Sequence, residues 1–194
     1  MARQARIERS TRETAIALTL DLDSPDEPRI DTNLPLLSHF LSAMALHSGF
    51  AVEISAHGDV DVDAHHLVED VGIVWGEAIR EALGDCRSIA RFGQRLLPMD
   101  DALVLCAVDI SGRGQCYWTG AFPDRAIGTI GAEVWPEFFH GFARAAAVTL
   151  HMRYLHGDNA HHVYEACFKG FGRALAEAVR QTGRDLLPST KGVL

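Results

Sequence analysis

Hydrophobic positions along the chain follow two different periods. Ile16, Leu18, Leu20 and Leu22 fall on every second residue, with Ala17, Thr19 and Asp21 between them. Phe50, Val52, Ile54 and Ala56 repeat that alternation. Period two predicts half-buried strands at both places, and the apolar run Ala102 to Ile110 predicts a more deeply buried one. The spacing changes to three or four at Val68, Val71, Trp75, Ile79 and Ala82, with Gly84 as a stop. It does so again at Phe168, Phe171, Leu175 and Ala178, with Gly183 as a stop. These are helix patterns, and Leu36 to Leu46 and Val134 to Ala147 supply two more. Four helices and about six to eight strands give an α+β architecture, with helices packed on sheet faces around one core. The stretch Asp23 to Pro28 reads as a turn or short loop. No segment reads as a second domain, so residues 1–194 are expected to form one.

The pattern is also repeated. Ala64-His65-His66-Leu67-Val68-Glu69 recurs as Ala160-His161-His162-Val163-Tyr164-Glu165, 96 residues further on. Each copy runs into one of the helix patterns above. The helix before each has a similar exit, Ala45-Leu46-His47 and Thr149-Leu150-His151. Matching motifs with matching flanks at half the chain length predict an internal duplication, with repeats at about 6–88 and 89–187.

Composition narrows the function. Hydrophobic residues are 47% and charged residues 23% of 194, as in a folded soluble protein. The longest apolar runs are far short of the roughly 18–20 residues of a membrane span. No apolar stretch follows the basic N-terminal residues, so no signal peptide is expected and a cytoplasmic location is. Cys86, Cys106, Cys116 and Cys167 show no C-x-x-C spacing and read as reduced core fillers. A net charge of −8 with 18 Lys and Arg argues against a general nucleic-acid surface, so an anionic ligand would need cations gathered locally. Ten histidines are the unusual feature, because imidazole is both a transition-metal ligand and a neutral-pH acid or base.

Helical geometry gives the duplicated histidines a role. Residues i and i+4 share a face, while i+1 points roughly 100° away. His65 and Glu69 can therefore grip one metal while His66 reaches for another, and His161, Glu165 and His162 repeat the arrangement. Two such helices related by a pseudo-dyad, within a subunit or between subunits, would build two sites with exchanged partners. One would take His65, Glu69 and His162, the other His161, Glu165 and His66. Mixed imidazole and carboxylate donors suit Mn, Fe, Zn or Co. A lone HHxxE would more simply be a capped or solvated helix start, and it is the duplication that favours the metal.

At this point the sequence resembles the imidazoleglycerol-phosphate dehydratase family of histidine biosynthesis, from about Arg6 to Leu194. The matching blocks are Arg12-Glu13-Thr14, His39, Ala64 to Ile73, Ile89-Ala-Arg-Phe-Gly93, Pro98 to Leu103, Asp109-Ile-Ser-Gly-Arg113, Thr149-Leu-His151, Asn159 to His162, Glu165 to Lys169 and Pro188-Ser-Thr-Lys-Gly192. The resemblance implies a four-helix layer sandwiched between two mixed β-sheets, made from duplicated halves. It implies a homo-oligomer, in the family a 24-subunit shell of trimers with active sites between subunits. It also implies two Mn²⁺ per active site, with Zn, Fe or Co as alternatives. Carried over by position, one metal takes His39, His66, His161 and Glu165, and the other takes His65, Glu69, His162 and Glu137.

The implied reaction is the dehydration of D-erythro-imidazole-glycerol phosphate to imidazole-acetol phosphate, a carbon–oxygen lyase step. Glu13 and Glu165 match the family's acid–base candidates. Substrate contacts carried over are Glu13, His39, His47, His65, Glu69, Arg91, Arg113, His161, Lys169, Ser189 and Lys191. Arg113 lies between Gly112 and Gly114, and Ser189-Thr-Lys-Gly192 offers hydroxyls, an ammonium and flexible amides, which suits a phosphate. His151 also matches the family and reads equally as a packed histidine. His57, His140 and His156 are assigned no role.

The sequence departs from the family at Ser38, where an Asp is usual, at Ala43, at Asn33-Leu34-Pro35, and at Glu137, where many members have His. Ser38 bears on the orientation of His39. A second reading therefore stands beside the dehydratase. It is a diverged dimetal paralogue acting on another phosphorylated substrate, or a non-catalytic metal-binding shell protein. Arg91, Arg113, Lys169 and Lys191 favour a phosphorylated substrate and speak against the shell.

Overall fold

The computed structural model describes residues 2–194. Among the described residues there are eight strands, four α-helices and one 3₁₀ turn, in two halves of identical topology. The first half runs β1 (Gln4–Ser10), β2 (Thr14–Asp21), β3 (Arg29–Thr32), α1 (Pro35–Ser48), β4 (Ala51–Gly58) and α2 (Ala64–Leu83). The second runs β5 (Phe92–Met99), β6 (Ala102–Asp109), β7 (Gln115–Thr119), α3 (Trp135–Ala146, after a 3₁₀ turn at Ala132–Val134), β8 (Thr149–His156) and α4 (Ala160–Val179).

Each half makes a four-stranded mixed sheet, ordered β1-β2-β4-β3 in one and β5-β6-β8-β7 in the other. The first two pairings are antiparallel and the third is parallel in both sheets. The parallel pair is joined each time by a crossover helix, α1 or α3, because parallel neighbours need a long connection. The alternating positions behave as their period requires: Ile16, Leu18 and Leu20 of β2 and Val52, Ile54 and Ala56 of β4 are all buried.

The helices form the layer between the sheets, and their pairing joins the halves. α2 packs on β1, β2 and β4 and on α3, while α4 packs on β5 and β6 and on α1. Large aromatics fill this middle layer. Phe40 of α1 stacks on Phe168 of α4 at 5.1 Å and meets Trp135 of α3 edge-on at 4.9 Å, with all three buried. Burying a Phe or Leu contributes about 1.5–3 kcal/mol relative to leaving it exposed, so this layer is a principal source of stability.

Glycines set the helix spacing. A Cβ at Gly76 of α2 would lie 2.5 Å from the Phe142 carbonyl oxygen of α3, and one at Gly172 of α4 would lie 2.5 Å from the Met44 carbonyl oxygen of α1. The two contacts are pseudo-symmetric copies, and only a residue without Cβ permits either.

Two features differ from the sequence pattern. Thr149-Leu150-His151 opens β8, beyond the end of α3 at Ala146, so it is not the counterpart of Ala45-Leu46-His47, which lies within α1. α4 stops at Val179 rather than running on to Gly183. Its last carbonyls are taken by another segment: Arg91 N–H donates to Ala178 O and Ala90 N–H donates to Arg180 O, and Ile89 then bridges to Gln181. The four cysteines are free thiols. Cys106 and Cys167 fill the core, where burial pushes their thiols well up, whereas Cys86 and Cys116 are only half-buried. No described helix is long and apolar enough to cross a membrane.

Candidate metal centre and anion cradle

α2 and α4 each begin immediately before the histidine pair, and side-chain caps hold both starts in place. Asp63 accepts from His65 N–H, and Asn159, at the equivalent position, accepts from the N–H groups of His161 and His162. Asx caps of this kind satisfy amides that the helix leaves open. The imidazoles therefore occupy the first turn, with Glu69 and Glu165 one turn further on.

One complete donor cluster results. His39 of α1 meets His161 and Glu165 of α4, and their ligand atoms all lie within 4.8 Å of one another. His39 Nε2 is 3.5 Å from one Glu165 oxygen, and His161 Nε2 is 3.3 Å from the other. The two rings are 5.4 Å apart, and Phe40 borders His161 at 5.5 Å. Glu165 is buried at 6% exposure, and Lys169 Nζ, one turn along α4, is 2.8 Å from Oε1. Burial pushes the Glu165 carboxyl up, but the Lys169 hydrogen bond and charge, with His39 and His161, outweigh it and hold the carboxyl below its usual range. Two imidazoles and an ionised carboxylate, already converged, fit a divalent transition ion.

The pseudo-symmetric site is less complete. His65 Nε2 is 3.6 Å from Glu69 Oε2, while the other Glu69 oxygen pairs with Arg144 of α3 at 2.5 Å. Glu137 sits in the first turn of α3 but makes no ion pair with His65 among the described residues. Instead its charge is felt by Cys116.

His66 and His162 join neither group within the protomer. His66 Nδ1 lies 3.0 Å from Asp59 and 4.0 Å from Glu13, and the hydrogen bond to Asp59 raises its pKa. His162 Nδ1 lies 2.6 Å from Asp101, which also accepts from the N–H groups of Asp158 and Asn159. The His162 bond and these two amides hold Asp101 far below the usual carboxylate range. In both histidines Nδ1 is oriented by a carboxylate, as in metal-ligating histidines generally, and His162 Nε2 also lies 3.4 Å from Asn159 Nδ2 and 3.6 Å from Asp100.

A second cluster gathers the cations expected to meet phosphate. Arg91 takes a left-handed backbone conformation (φ 72°) and directs its guanidinium onto Asp109, 2.8 Å from Nε to Oδ1. Its NH1 donates to Pro188 O at 2.8 Å, which ties down the segment carrying Ser189 and Lys191. Arg113 reaches the same Asp109 at 3.9 Å and stays largely exposed. Ser189 Oγ accepts from Lys191 N–H at 3.3 Å. Arg91, Arg113, Ser189 and Lys191 therefore belong to one locality.

Lys169 is not part of that locality. It sits at the metal cluster. His47, in the last turn of α1, has its pKa lowered by burial and by the nearby charges of Arg173 and Lys169. His151 stacks on Tyr117 at 4.6 Å on the sheet surface.

The two clusters are far apart within a protomer. The metal cluster lies at the start of α4, whereas Arg91 contacts Ala178 at its end. Thirteen residues of helix separate Glu165 from Ala178, about 20 Å at 1.5 Å per residue. Residues without an evident sequence pattern complete both places: Asp59 and Asp101 orient histidines, and Asp109 anchors the arginines. Asp101 and Asp109 stand inside the blocks Pro98 to Leu103 and Asp109 to Arg113, so their neighbours were the available signal.

Comparison with known proteins places the fold and the family. The family model described as imidazoleglycerol-phosphate dehydratase matches residues 32–175. The chain is 47% identical to the imidazoleglycerol-phosphate dehydratase of Gluconobacter oxydans, over 100% of this chain and 98% of that one. It is also 47% identical to that of Desulforudis audaxviator, over 100% and 99%. Among solved structures, that of the Pyrococcus furiosus enzyme superposes with a TM-score of 0.84 at 40% identity, covering 97% of this chain and 100% of that one. The imidazoleglycerol-phosphate dehydratase of Staphylococcus aureus gives a TM-score of 0.83 at 33% identity, covering 92% and 99%. With its fold and nearly its whole length shared with these proteins, the chain belongs to the imidazoleglycerol-phosphate dehydratase family.

Proposed function

We propose that the protein is a dimetal lyase that dehydrates D-erythro-imidazole-glycerol phosphate to imidazole-acetol phosphate in histidine biosynthesis. The convergence of His39, His161 and Glu165 within 4.8 Å, from helices of opposite halves, carries this reading. These residues hold one divalent ion, with His66 supplied by a neighbouring protomer. His65, Glu69, His162 and Glu137 hold the other. Mn²⁺ suits this mixed set of imidazoles and carboxylates, and Zn, Fe or Co would also bind. When bound, the ions act as Lewis acids that stabilise negative charge developing on the substrate and polarise its oxygens.

The chain's own residues do the rest. Lys169 balances the buried Glu165 carboxylate at 2.8 Å and so keeps it ionised. Glu13 is half-exposed beside His66, free to take or return the proton lost from carbon. Arg91, Arg113, Ser189 and Lys191 bind the phosphate, with Asp109 fixing the two guanidinium groups. A substrate of this size cannot span the roughly 20 Å between the metal cluster and the anion cradle of one protomer. The working site is therefore completed between protomers of a homo-oligomer.

The test is a dehydratase assay on imidazole-glycerol phosphate after chelation and after return of Mn²⁺. Activity that disappears with the metal and returns with it is the expected result. Unchanged activity after complete metal removal, or no turnover of this substrate by the Mn²⁺-loaded protein, would overturn the proposal.

A further inference from the structure

Beneath the candidate catalytic Glu13 lies a polar group that the chemistry above does not use. Asp70 of α2 is buried at 9% exposure. Its Oδ2 accepts from Thr14 Oγ1 at 2.5 Å, and its Oδ1 accepts from Arg9 Nε at 3.1 Å. Thr14 is itself buried at 3% exposure, and Arg9 projects from β1 on the same face as the buried Ala5. A buried carboxylate answered by a buried hydroxyl and by an arginine that keeps 38% of its side chain exposed is a costly way to join a sheet and a helix, since apolar residues of similar volume serve as well or better.

The protein contains its own comparison. The β1–β2 and β5–β6 hairpins share one register: Ser10 faces Ala15 as Pro98 faces Leu103. Arg9 and Thr14 therefore correspond to Leu97 and Ala102. The offset of 96 between the HHxxE motifs makes Asp70 correspond to Ala166. Leu97, Ala102 and Ala166 are all buried, at 8%, 1% and 0% exposure. The same hairpin thus packs on the same helix through three apolar side chains in the second half. The fold does not require the polar trio.

What differs is the residue at the hairpin turn. By the same register Glu13 corresponds to Asp101. In the second half the turn is docked to the start of α4 by the carboxylate of Asp101 itself, which accepts from Asp158 N–H, Asn159 N–H and His162. In the first half the Glu13 carboxylate accepts no hydrogen bond among the described residues, and its nearest ionic neighbour is His66 at 4.0 Å. The turn is held from below and by its backbone instead. Thr14 is tied to Asp70, Glu13 N–H donates to Thr11 Oγ1 at 3.1 Å, and Asp59 N–H donates to Glu13 O at 3.0 Å.

We infer that Asp70, with Arg9 and Thr14, is a positioning group. It anchors the β1–β2 turn to the helix carrying His65, His66 and Glu69, so that the Glu13 carboxylate is placed at the site without being consumed in docking. The inference rests on the reading of Glu13 as an acid–base residue.

The test transplants the second half's solution into the first. The triple variant Arg9→Leu, Thr14→Ala, Asp70→Ala should fold, assemble and bind metal as the parent does. Its kcat should fall by about tenfold or more, because misplacement of a reacting group by about 1 Å can cost up to 100-fold. KM should change little, since no group at the anion cradle is touched. A folded triple variant with kcat within twofold of the parent would overturn the inference.

Single substitutions keep the test open should the triple variant not fold. Thr14→Val should lose kcat and Thr14→Ser should keep it, whereas equal parental kcat in both would again overturn it. A cycle with Glu13→Gln separates this inference from the reading beneath it. If the trio acts through Glu13, adding the triple change to Glu13→Gln costs no further kcat, and a full additional loss contradicts that. Parental activity in Glu13→Gln alone would instead remove the acid–base reading of Glu13, and the positioning role with it.

Discussion

Replacing Gly172 by Ala places a methyl group 2.5 Å from the Met44 carbonyl oxygen, where ordinary contact begins at 3.4 Å. α1 and α4 must then separate by roughly 1 Å at the crossing, because a backbone carbonyl cannot swing aside as a flexible side chain would. Overpacking of this kind costs about 1–3 kcal/mol. Ala recovers up to about 1 kcal/mol of that through its better helix propensity. With the full recovery the net expectation is up to about 2 kcal/mol of destabilisation.

The functional consequence follows from where α1 leads. His39 lies five residues before Met44, about 7.5 Å along the helix, so the same separation carries its ring away from His161 and Glu165. His39 Nε2 starts 3.5 Å from Glu165. Loss of ligand support on this scale weakens metal affinity by about tenfold or more. Gly76→Ala creates the same clash between α2 and α3, and five residues before Phe142 it reaches Glu137 rather than His39. Urea unfolding with metal analysis of both variants reads the two effects separately. Gly172→Ala with an unchanged unfolding midpoint and full metal occupancy would refute the packing argument. Full metal occupancy in a destabilised Gly172→Ala protein would refute the link to His39.

Other perturbations have equally definite outcomes. Lys191→Ala should raise KM by about tenfold, the equivalent of roughly 1.4 kcal/mol of charge-assisted contact with phosphate, and leave metal content unchanged in the same preparation. Glu137→Ala should lose about one of two Mn²⁺ per subunit by metal analysis, while Glu137→His should keep both and shift preference toward Zn²⁺. The Arg3 hydrogen bond holds the Asp23 carboxyl below 3.8, and backbone N–H of Asp23 does the same for Asp21. A carboxyl with a depressed folded pKa contributes stability that is complete above 3.8 and is lost as the pH falls through the depressed value. Asp23→Asn should therefore flatten the acid limb of a stability–pH profile and leave its slope unchanged above about pH 5.

The parts of the fold legible in the sequence are those whose burial imposes a period. β2 and β4 lie inside their sheet with one face on the helix layer, so their apolar residues alternate and predict them, while β6, also inside its sheet, is legible as an apolar run. β3 and β7 are edge strands with four and five residues and no buried position, so nothing in their sequence requires an apolar side chain. The HHxxE repeats made α2 and α4 stand out as candidate metal-binding helices, because two histidines and a glutamate recur at a fixed offset. Glu13, Arg91, Arg113 and Lys191 were reached through the resemblance alone, since a single charged residue in a loop carries no periodic signature. Asp59, Asp109 and the Arg9–Thr14–Asp70 trio depend on contacts across 7 to 61 positions of sequence, and only tertiary structure makes them. Glu137 shows a limit of the duplication itself: it occupies the position equivalent to His39, yet it does not close on His65 within the protomer.

On the proposed reading, a metal cluster and an anion cradle about 20 Å apart in one protomer meet between protomers to dehydrate imidazole-glycerol phosphate. Co-assembly of two inactive variants tests it most directly. Glu165→Gln removes the metal cluster of its own protomer, and Arg113→Ala weakens the cradle of its own. In mixed oligomers loaded with Mn²⁺, roughly a quarter of the sites would draw an intact cluster from one variant and an intact cradle from the other. Dehydratase activity should rise on co-assembly toward roughly a quarter of the parental value. Activity no greater than the sum of the two variants assayed alone would place both clusters' work within a single protomer and contradict the account.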